Sequence, residues 1–254
     1  MLTIDSDFNS AGPHSAYVEE MPAWVVLSSL GKGSKGEVFL VRDREGNRLA
    51  LKKMYPKESV SAELACYLFD EEGVRHSARE EWEASQHLRY PLFVKIYEFH
   101  PGKETYLLME WVDGKTLDEV PYASLDPKIA LNLLLEAIEG LQFAFNEGWI
   151  HHDLGSDNLM VDNSYHLKFI DLEGFDKLTD DEDMSLEEYR DQMIFVLERF
   201  ISKGIFTKEQ KEKLDTIFKA ACEEGPWDGP VNSDSGPIFI SFLEKIKTQI
   251  LSFS

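Results

Sequence analysis

Only two cysteines occur in the sequence, Cys66 and Cys222, too few for a disulfide framework, and no Cys/His spacing suits a zinc site. Long apolar runs are missing: none approaches the ~20 residues of a membrane-spanning helix. No basic flank leads into an apolar core at the N-terminus, so neither a membrane span nor a secretory leader is expected. A soluble, reducing compartment is the expected setting. Basic residues are scarce, with 26 Lys and Arg against 47 Asp and Glu, a formal net charge of −21. Nucleic-acid binding depends on cations that neutralise phosphates, so this balance argues against it, while a basic protein partner is tolerated. Internal repeats are absent as well. What is present is 254 residues, 43% of them hydrophobic, enough for one large or two small domains with a core.

Residues 1–20 are polar and without apolar periodicity, and read as a loose tail or a segment for specialised export. From Trp24 the pattern is strand, glycine-rich turn, strand, turn, strand: Trp24 to Leu30, G-K-G-S-K-G-E-V from Gly31 to Val38, Val38 to Val41, Glu45-Gly46-Asn47, and Leu49 to Lys52. A dinucleotide-binding G-x-G-x-x-G opens a helix. Here Glu37 to Val41 continue as strand, which favours a hairpin whose glycines admit phosphates close to the backbone. Ser59 to Glu72 has helical spacing at Leu64, Ala65, Leu68 and Phe69, interrupted by Gly73. Ser77 and Glu80 form a capping-box pattern for the next helix, running to about Leu88. Phe93 to Phe99 and Thr105 to Trp111 are two further strands, and Asp113-Gly114 is a turn and a natural boundary.

The second half reads as helical. Ala130, Leu134, Ala137, Ile138, Leu141, Ala144 and Phe145 mark a helix from about Asp126 to Asn146, ended by Gly148. Ser185 with Glu188 caps a second helix that Gly204 stops, and Thr207 with Gln210 caps a third. A last helix carries Phe239, Phe242, Leu243, Ile246 and Ile250 after a Gly/Pro/Asp-rich loop.

Between these halves stands W-I-H-H-D-L-G-S-D-N-L-M-V-D-N-S-Y-H-L-K-F-I-D-L-E, Trp149 to Glu173. Asp153 precedes Asn158 by five positions, and two apolar runs separated by N-S-Y-H form a predicted hairpin ending at Asp171. Such a hairpin brings Asn158 and Asp171 together as oxygen ligands for a hard cation and leaves Asp153 for a hydroxyl nucleophile. The adjacent His151 and His152 read as backbone-positioning loop residues.

This stretch resembles the catalytic loop and metal-binding segment of the protein-kinase-like superfamily. L-A-L-K, ending at Lys52, resembles the kinase V-A-I-K element, and E-W-E-A-S-Q-H-L-R-Y-P-L-F-V-K-I-Y resembles the αC helix and the strand after it. M-E-W-V-D-G resembles the hinge. The resemblance covers roughly residues 23–203. It implies an α+β, two-lobed fold: a tail (1–20), an N-lobe (21–112) with a five-stranded antiparallel sheet and an αC helix, and a mainly helical, truncated C-lobe (113–254). It further implies ATP with its phosphates under Gly31, Gly33 and Gly36, and its adenine between Val38, Ala50 and Met160. Met109 would stand at the back, with backbone groups of Glu110 and Val112 on the adenine edge. Lys52 would orient the phosphates and pair with Glu81, with Glu80 and Glu83 as competitors. Asn158 and Asp171 would hold Mg²⁺, and Asp153 would accept or orient the proton of the substrate hydroxyl.

The departures bear on the substrate. The Arg of H-R-D is His152, so switching by loop phosphorylation is not expected. The Lys that protein Ser/Thr kinases carry two residues after the catalytic Asp is Gly155, D-F-G is Asp171-Leu172-Glu173, and no A-P-E follows. If Asp191 begins the large C-lobe helix, the activation segment is shortened. Such trimming resembles bacterial effector kinases, whereas I-D-x-E resembles small-molecule kinases of the aminoglycoside and choline type. The expectation is a protein Ser/Thr kinase, with a small-molecule kinase and a pseudokinase scaffold as alternatives. Its partners would be a protein substrate and an activating protein, in the cytoplasm or, for an exported effector, a host cytoplasm. The acidic run Asp180 to Asp183 reads as solvated acids before a helix N-terminus, or as a phosphate mimic.

Overall fold

The computed structural model describes residues 24–70, 74–120, 126–179, 185–203, 206–223 and 225–252. The expected tail, the helix breaks at Gly73 and Gly204, and the Asp180–Asp183 run lie outside these residues. The chain divides into two units: one takes the chain up to Glu83 together with Val94–Val112, the other Ala84–Phe93 with Asp113–Ser254. Among the described residues no helix is long and apolar enough to cross a membrane.

The first unit is built on a five-stranded antiparallel sheet in the order β1-β2-β3-β5-β4. Its strands are β1 Val25–Lys32, β2 Gly36–Arg42, β3 Arg48–Met54, β4 Ile96–His100 and β5 Tyr106–Glu110. The β2–β3 turn is tied by Asp43, whose Oδ1 accepts the N–H groups of Glu45 (2.9 Å) and Asn47 (2.8 Å), while Gly46 supplies the left-handed φ of +92°. Side chains alternate across a strand, and cross-strand partners share a face. The register Val38↔Lys52, Leu40↔Ala50, Lys52↔Leu107 and Ala50↔Met109 therefore puts these six residues on one face. Trp24, Val41, Leu51, Tyr106 and Leu108 pack together as the core of the opposite face. A short helix α1, Ala62–Leu68, has Ser61 as N-cap, and Phe69 leaves it in extended conformation to bridge Arg75. It is shorter than the predicted Ser59–Glu72 because Phe69 and Asp70 are spent on the next junction: Asp70 accepts from Val74 N (2.8 Å) and from Arg79 (2.8 Å). Helix α2, His76–His87, begins one residue before Ser77. Ser77 is thus not its cap, and its buried Oγ meets no hydrogen-bond partner among the described residues.

In the second unit β6 (Gly114–Thr116), β8 (Leu159–Asp162) and β9 (Leu167–Phe169) form one small sheet, and β7 (Trp149–His151) pairs with β10 (Phe175–Lys177) in another. Helix α3, Pro127–Asn146, starts at the Asp126 cap with Pro127 at its first position and gives way to Gly148 at φ +76°. Helices α4 (Leu186–Lys203), α5 (Lys208–Glu223) and α6 (Gly236–Leu251) follow. Both predicted boxes are formed: Ser185 and Glu188 exchange bonds of 3.2 and 2.9 Å, and Thr207 and Gln210 bonds of 3.1 and 2.9 Å. The apolar face of α3 meets α6 through Phe145 stacked on Phe239 at 4.9 Å. Phe93 stacks on Phe169 at 5.0 Å and meets Phe175 edge-on, which fixes β9 and β10 around one aromatic cluster. Such pairs contribute about 0.5–1.5 kcal/mol each beyond their buried area. The strand predicted from Phe93 begins only at Ile96, because Phe93 bonds into this cluster as a parallel bridge to Phe169.

Candidate active site

The predicted site residues fall on both units. In the first, Lys52 Nζ lies 2.6 Å from Glu81 Oε2, with side chains 12% and 1% exposed. Of the three acids considered, Glu81 alone lies on the buried stripe of α2, with Ala78, Ser85 and Leu88; Glu80 and Glu83 are exposed. That stripe follows helical periodicity and was readable as the discriminating signal. A short ion pair shielded from water locks the lysine in one rotamer and aims its charge along the sheet face that also carries Val38, Ala50 and Met109.

The three glycines of the β1–β2 hairpin differ in kind. A Cβ on Gly36 would stand 2.3 Å from the Lys53 carbonyl oxygen, so the sheet itself requires glycine there. A Cβ on Gly31 would meet nothing within 4 Å, and one on Gly33 only the Gly36 oxygen at 3.9 Å. Room beside these two suits the approach of a ligand to the backbone. At the end of β5 the Glu110 N–H donates to the Lys95 carbonyl at 2.8 Å, so this N–H is taken up within the first unit. Val112 closes this unit, whereas Met160 stands on β8 of the second, paired with Thr116 and Lys168.

In the second unit the loop after β7 is held from several sides. The exposed Asp153 donates its N–H to His151 Nδ1 (3.1 Å), and its carbonyl accepts from Asn158 Nδ2 (2.8 Å). The second bond holds the Asn158 amide nitrogen on the Asp153 carbonyl, and the amide oxygen is the side-chain atom suited to a cation. Ile170 N–H donates to the Asn158 carbonyl at 2.9 Å, tying the two ends of the β8–β9 hairpin together. Asp171 follows at φ +57°, ψ +60°, a left-handed conformation that costs a non-glycine residue about 1–3 kcal/mol and concentrates at functional positions. One carboxylate oxygen of Glu173 lies within 4.8 Å of one of Asp171. An amide oxygen with one or two carboxylates is the donor set that Mg²⁺ takes before completing its shell with water and phosphate oxygens, so these residues fit such an ion.

His151 is fully buried, and burial lowers its pKa to about 4, against the opposing pull of Asp171. The ring is therefore neutral near pH 7, and because Nδ1 accepts the Asp153 N–H, Nε2 carries the proton. A Cβ on Gly174 would reach within 2.6 Å of this ring, so glycine is required one position beyond Glu173. Several residues that hold the loop escaped the sequence reading. Tyr189 of α4, wholly buried, accepts the His151 N–H at 3.2 Å, and Ser156 Oγ donates to Asp118 at 2.7 Å. Asp191, expected to start the large helix, lies inside α4 with its side chain 63% exposed and bound to Arg190. The anchoring contact from α4 comes from Tyr189, two positions earlier. At Gly155 a Cβ would stand 2.4 Å from the carboxylate of the exposed Asp157, a side chain that can swing aside, so packing does not by itself require glycine there.

Comparison with known proteins agrees with this geometry. Residues 146 long, the aligned stretch is 30% identical to Aurora kinase B of Xenopus tropicalis, covering 56% of this chain and 38% of that protein. Aurora kinase A-A of Xenopus laevis is also 30% identical over 146 residues, 56% of this chain and 33% of its own. The serine/threonine-protein kinase greatwall of Gallus gallus is 26% identical over 177 residues, 67% of this chain and 19% of its own. The aligned part thus spans well under half the length of these relatives. The family model described as protein kinase domain matches residues 24–203, most of the chain, and the chain belongs to that family.

Proposed function

We propose that the protein transfers the γ-phosphoryl group of ATP to a serine or threonine hydroxyl of a protein, with Mg²⁺ as the metal. The buried Lys52–Glu81 pair carries this reading, because a water-shielded ammonium fixed on an open sheet face is what a polyphosphate clamp needs. Lys52 orients the phosphates, and the hairpin around Gly31 and Gly33 binds them through backbone N–H groups. Asn158 and Asp171 hold the metal, which when bound neutralises charge on the phosphates during transfer. Asp153, steadied by His151 and Asn158, orients the acceptor hydroxyl and takes its proton. Helix α4 begins at Leu186, 15 positions after Asp171 (186 − 171), which supports a short activation segment and dependence on an activating protein partner. Similarity to a relative named serine/threonine-protein kinase greatwall supports a protein acceptor.

The test is transfer of label from γ-labelled ATP to a protein extract and to a metabolite panel, with Lys52→Ala and Asp171→Ala in parallel. Label on protein, lost in both variants, is expected. Label confined to metabolites would move the acceptor to small molecules, and no label under any condition would leave a scaffold.

A further inference from the structure

The β8–β9 hairpin is a spacer with one proposed metal ligand at each end: Asn158 directly before β8 and Asp171 two residues after β9. Where this hairpin sits decides where both oxygens point. It rests on α3 at two places. Gly140 lets the Phe169 ring come so near that a Cβ would lie 2.3 Å from Cε2. One helical turn earlier on the same face, Glu136 reaches the hairpin with both oxygens. Its Oε2 accepts the Leu167 N–H at 2.7 Å, and its Oε1 meets His166 Nδ1 at 2.9 Å.

The far end of the hairpin is also prepared for this grip. Asp162 Oδ1 accepts the N–H groups of Ser164 (2.8 Å) and His166 (2.9 Å), and Tyr165 adopts a left-handed φ of +63°. The turn so formed presents the His166 ring and the Leu167 N–H to the same carboxylate. The bond to Glu136 raises the His166 pKa, with Asp162 adding to it, so the contact is charge-assisted over a wider pH range. Glu136 is only 21% exposed on its side chain, which spares the contact much of the screening of a surface pair.

We propose that Glu136 is a positioning residue for phosphoryl transfer, gripping Leu167 and His166 so that the hairpin delivers Asn158 and Asp171 to one metal ion. This rests on the proposed kinase function. Groups hydrogen-bonded directly to metal ligands typically change metal affinity by about 10–100-fold when lost, and Glu136, which acts through the hairpin, is expected at the lower end of that range. A residue serving stability alone would lower the melting temperature and leave metal use unchanged.

The experiment measures the affinity of the full chain for a fluorescent ATP analogue in EDTA and in saturating Mg²⁺, and takes the ratio as the metal coupling. The unmodified protein is expected to bind at least about 10-fold tighter with Mg²⁺. Glu136→Ala is expected to lose most of that ratio, about 10-fold, with its affinity in EDTA unchanged. Glu136→Gln, which keeps an oxygen for Leu167 and an amide for His166, is expected to restore it to within about threefold. A ratio in Glu136→Ala within twofold of the unmodified protein overturns the proposal. Should that variant fail to fold, Glu136→Asp, one methylene shorter and unable to reach both Leu167 and His166, serves instead, and an unchanged ratio there overturns it equally. Absence of any Mg²⁺ effect in the unmodified protein overturns the kinase reading itself and this inference with it.

Discussion

Breaking the Lys52–Glu81 pair from either side has unequal consequences. Lys52→Met takes the ammonium away from a carboxylate that is 1% exposed, whereas Glu81→Gln takes the carboxylate away from an ammonium that keeps 12% exposure. Two unit charges about 4 Å apart attract by about 4 kcal/mol at an effective dielectric of about 20, and desolvation offsets part of that. Lys52→Met is therefore expected to cost about 3–5 kcal/mol and Glu81→Gln about 2 kcal/mol, with a coupling of about 2 kcal/mol in the double-mutant cycle. Glu83→Gln, on the exposed side of the same helix, should stay within about 0.5 kcal/mol. Urea unfolding at pH 7 followed by far-UV circular dichroism measures all four. A coupling below about 0.5 kcal/mol, or a larger loss from Glu81→Gln than from Lys52→Met, would refute the assignment of a buried, working pair. The order also matters for the transfer assay, since a lysine variant is informative only at a temperature where it remains folded.

Acid should weaken the fold through His151. Its folded-state pKa of about 4 lies below the 6.5 of the unfolded chain, so stability is lost as pH falls through that window. The loss amounts to about 2 kcal/mol by pH 5, at about 1.36 kcal/mol per unit. Urea midpoints of the unmodified protein and His151→Gln between pH 7 and 5 check it, and equal slopes would count against it. Tyr189→Phe keeps the ring packing on Phe145 and Phe239 but removes the acceptor of a buried N–H. It should cost about 1–3 kcal/mol in thermal unfolding, and a loss under about 0.5 kcal/mol would mean the hydroxyl contributes no anchoring.

Much of the fold could be read from the chain because its signals are local. Capping boxes at Ser185 and Thr207, the α3 stripe, and the hairpin around N-S-Y-H are properties of neighbouring residues. Ser77 failed as a cap because Asp70 had already fixed the entry to α2 from outside the motif. Strands β6, β7 and β10 are three residues each, too short for alternation to register, and exist through their partners. At the site, Lys52, Glu81, Asp153, Asn158 and Asp171 stood out by type and spacing. Tyr189, Asp118 and Glu136 did not, since each acts through a backbone N–H or hydroxyl 31 to 38 positions away, and no local pattern encodes that separation.

Three of the five indoles lie at informative places. Trp24 is packed into the back of the five-stranded sheet, Trp149 lies against the His87 ring just before the loop that carries Asp153, and Trp227 lies under the Arg190 guanidinium with its N–H on the Cys222 carbonyl. Each therefore reports through its emission on a different neighbourhood: the first unit's core, the loop that carries Asp153, and the junction of α4 and α5. The change in emission on each single Trp→Phe replacement isolates that indole's contribution to the band that all five share, without an added label.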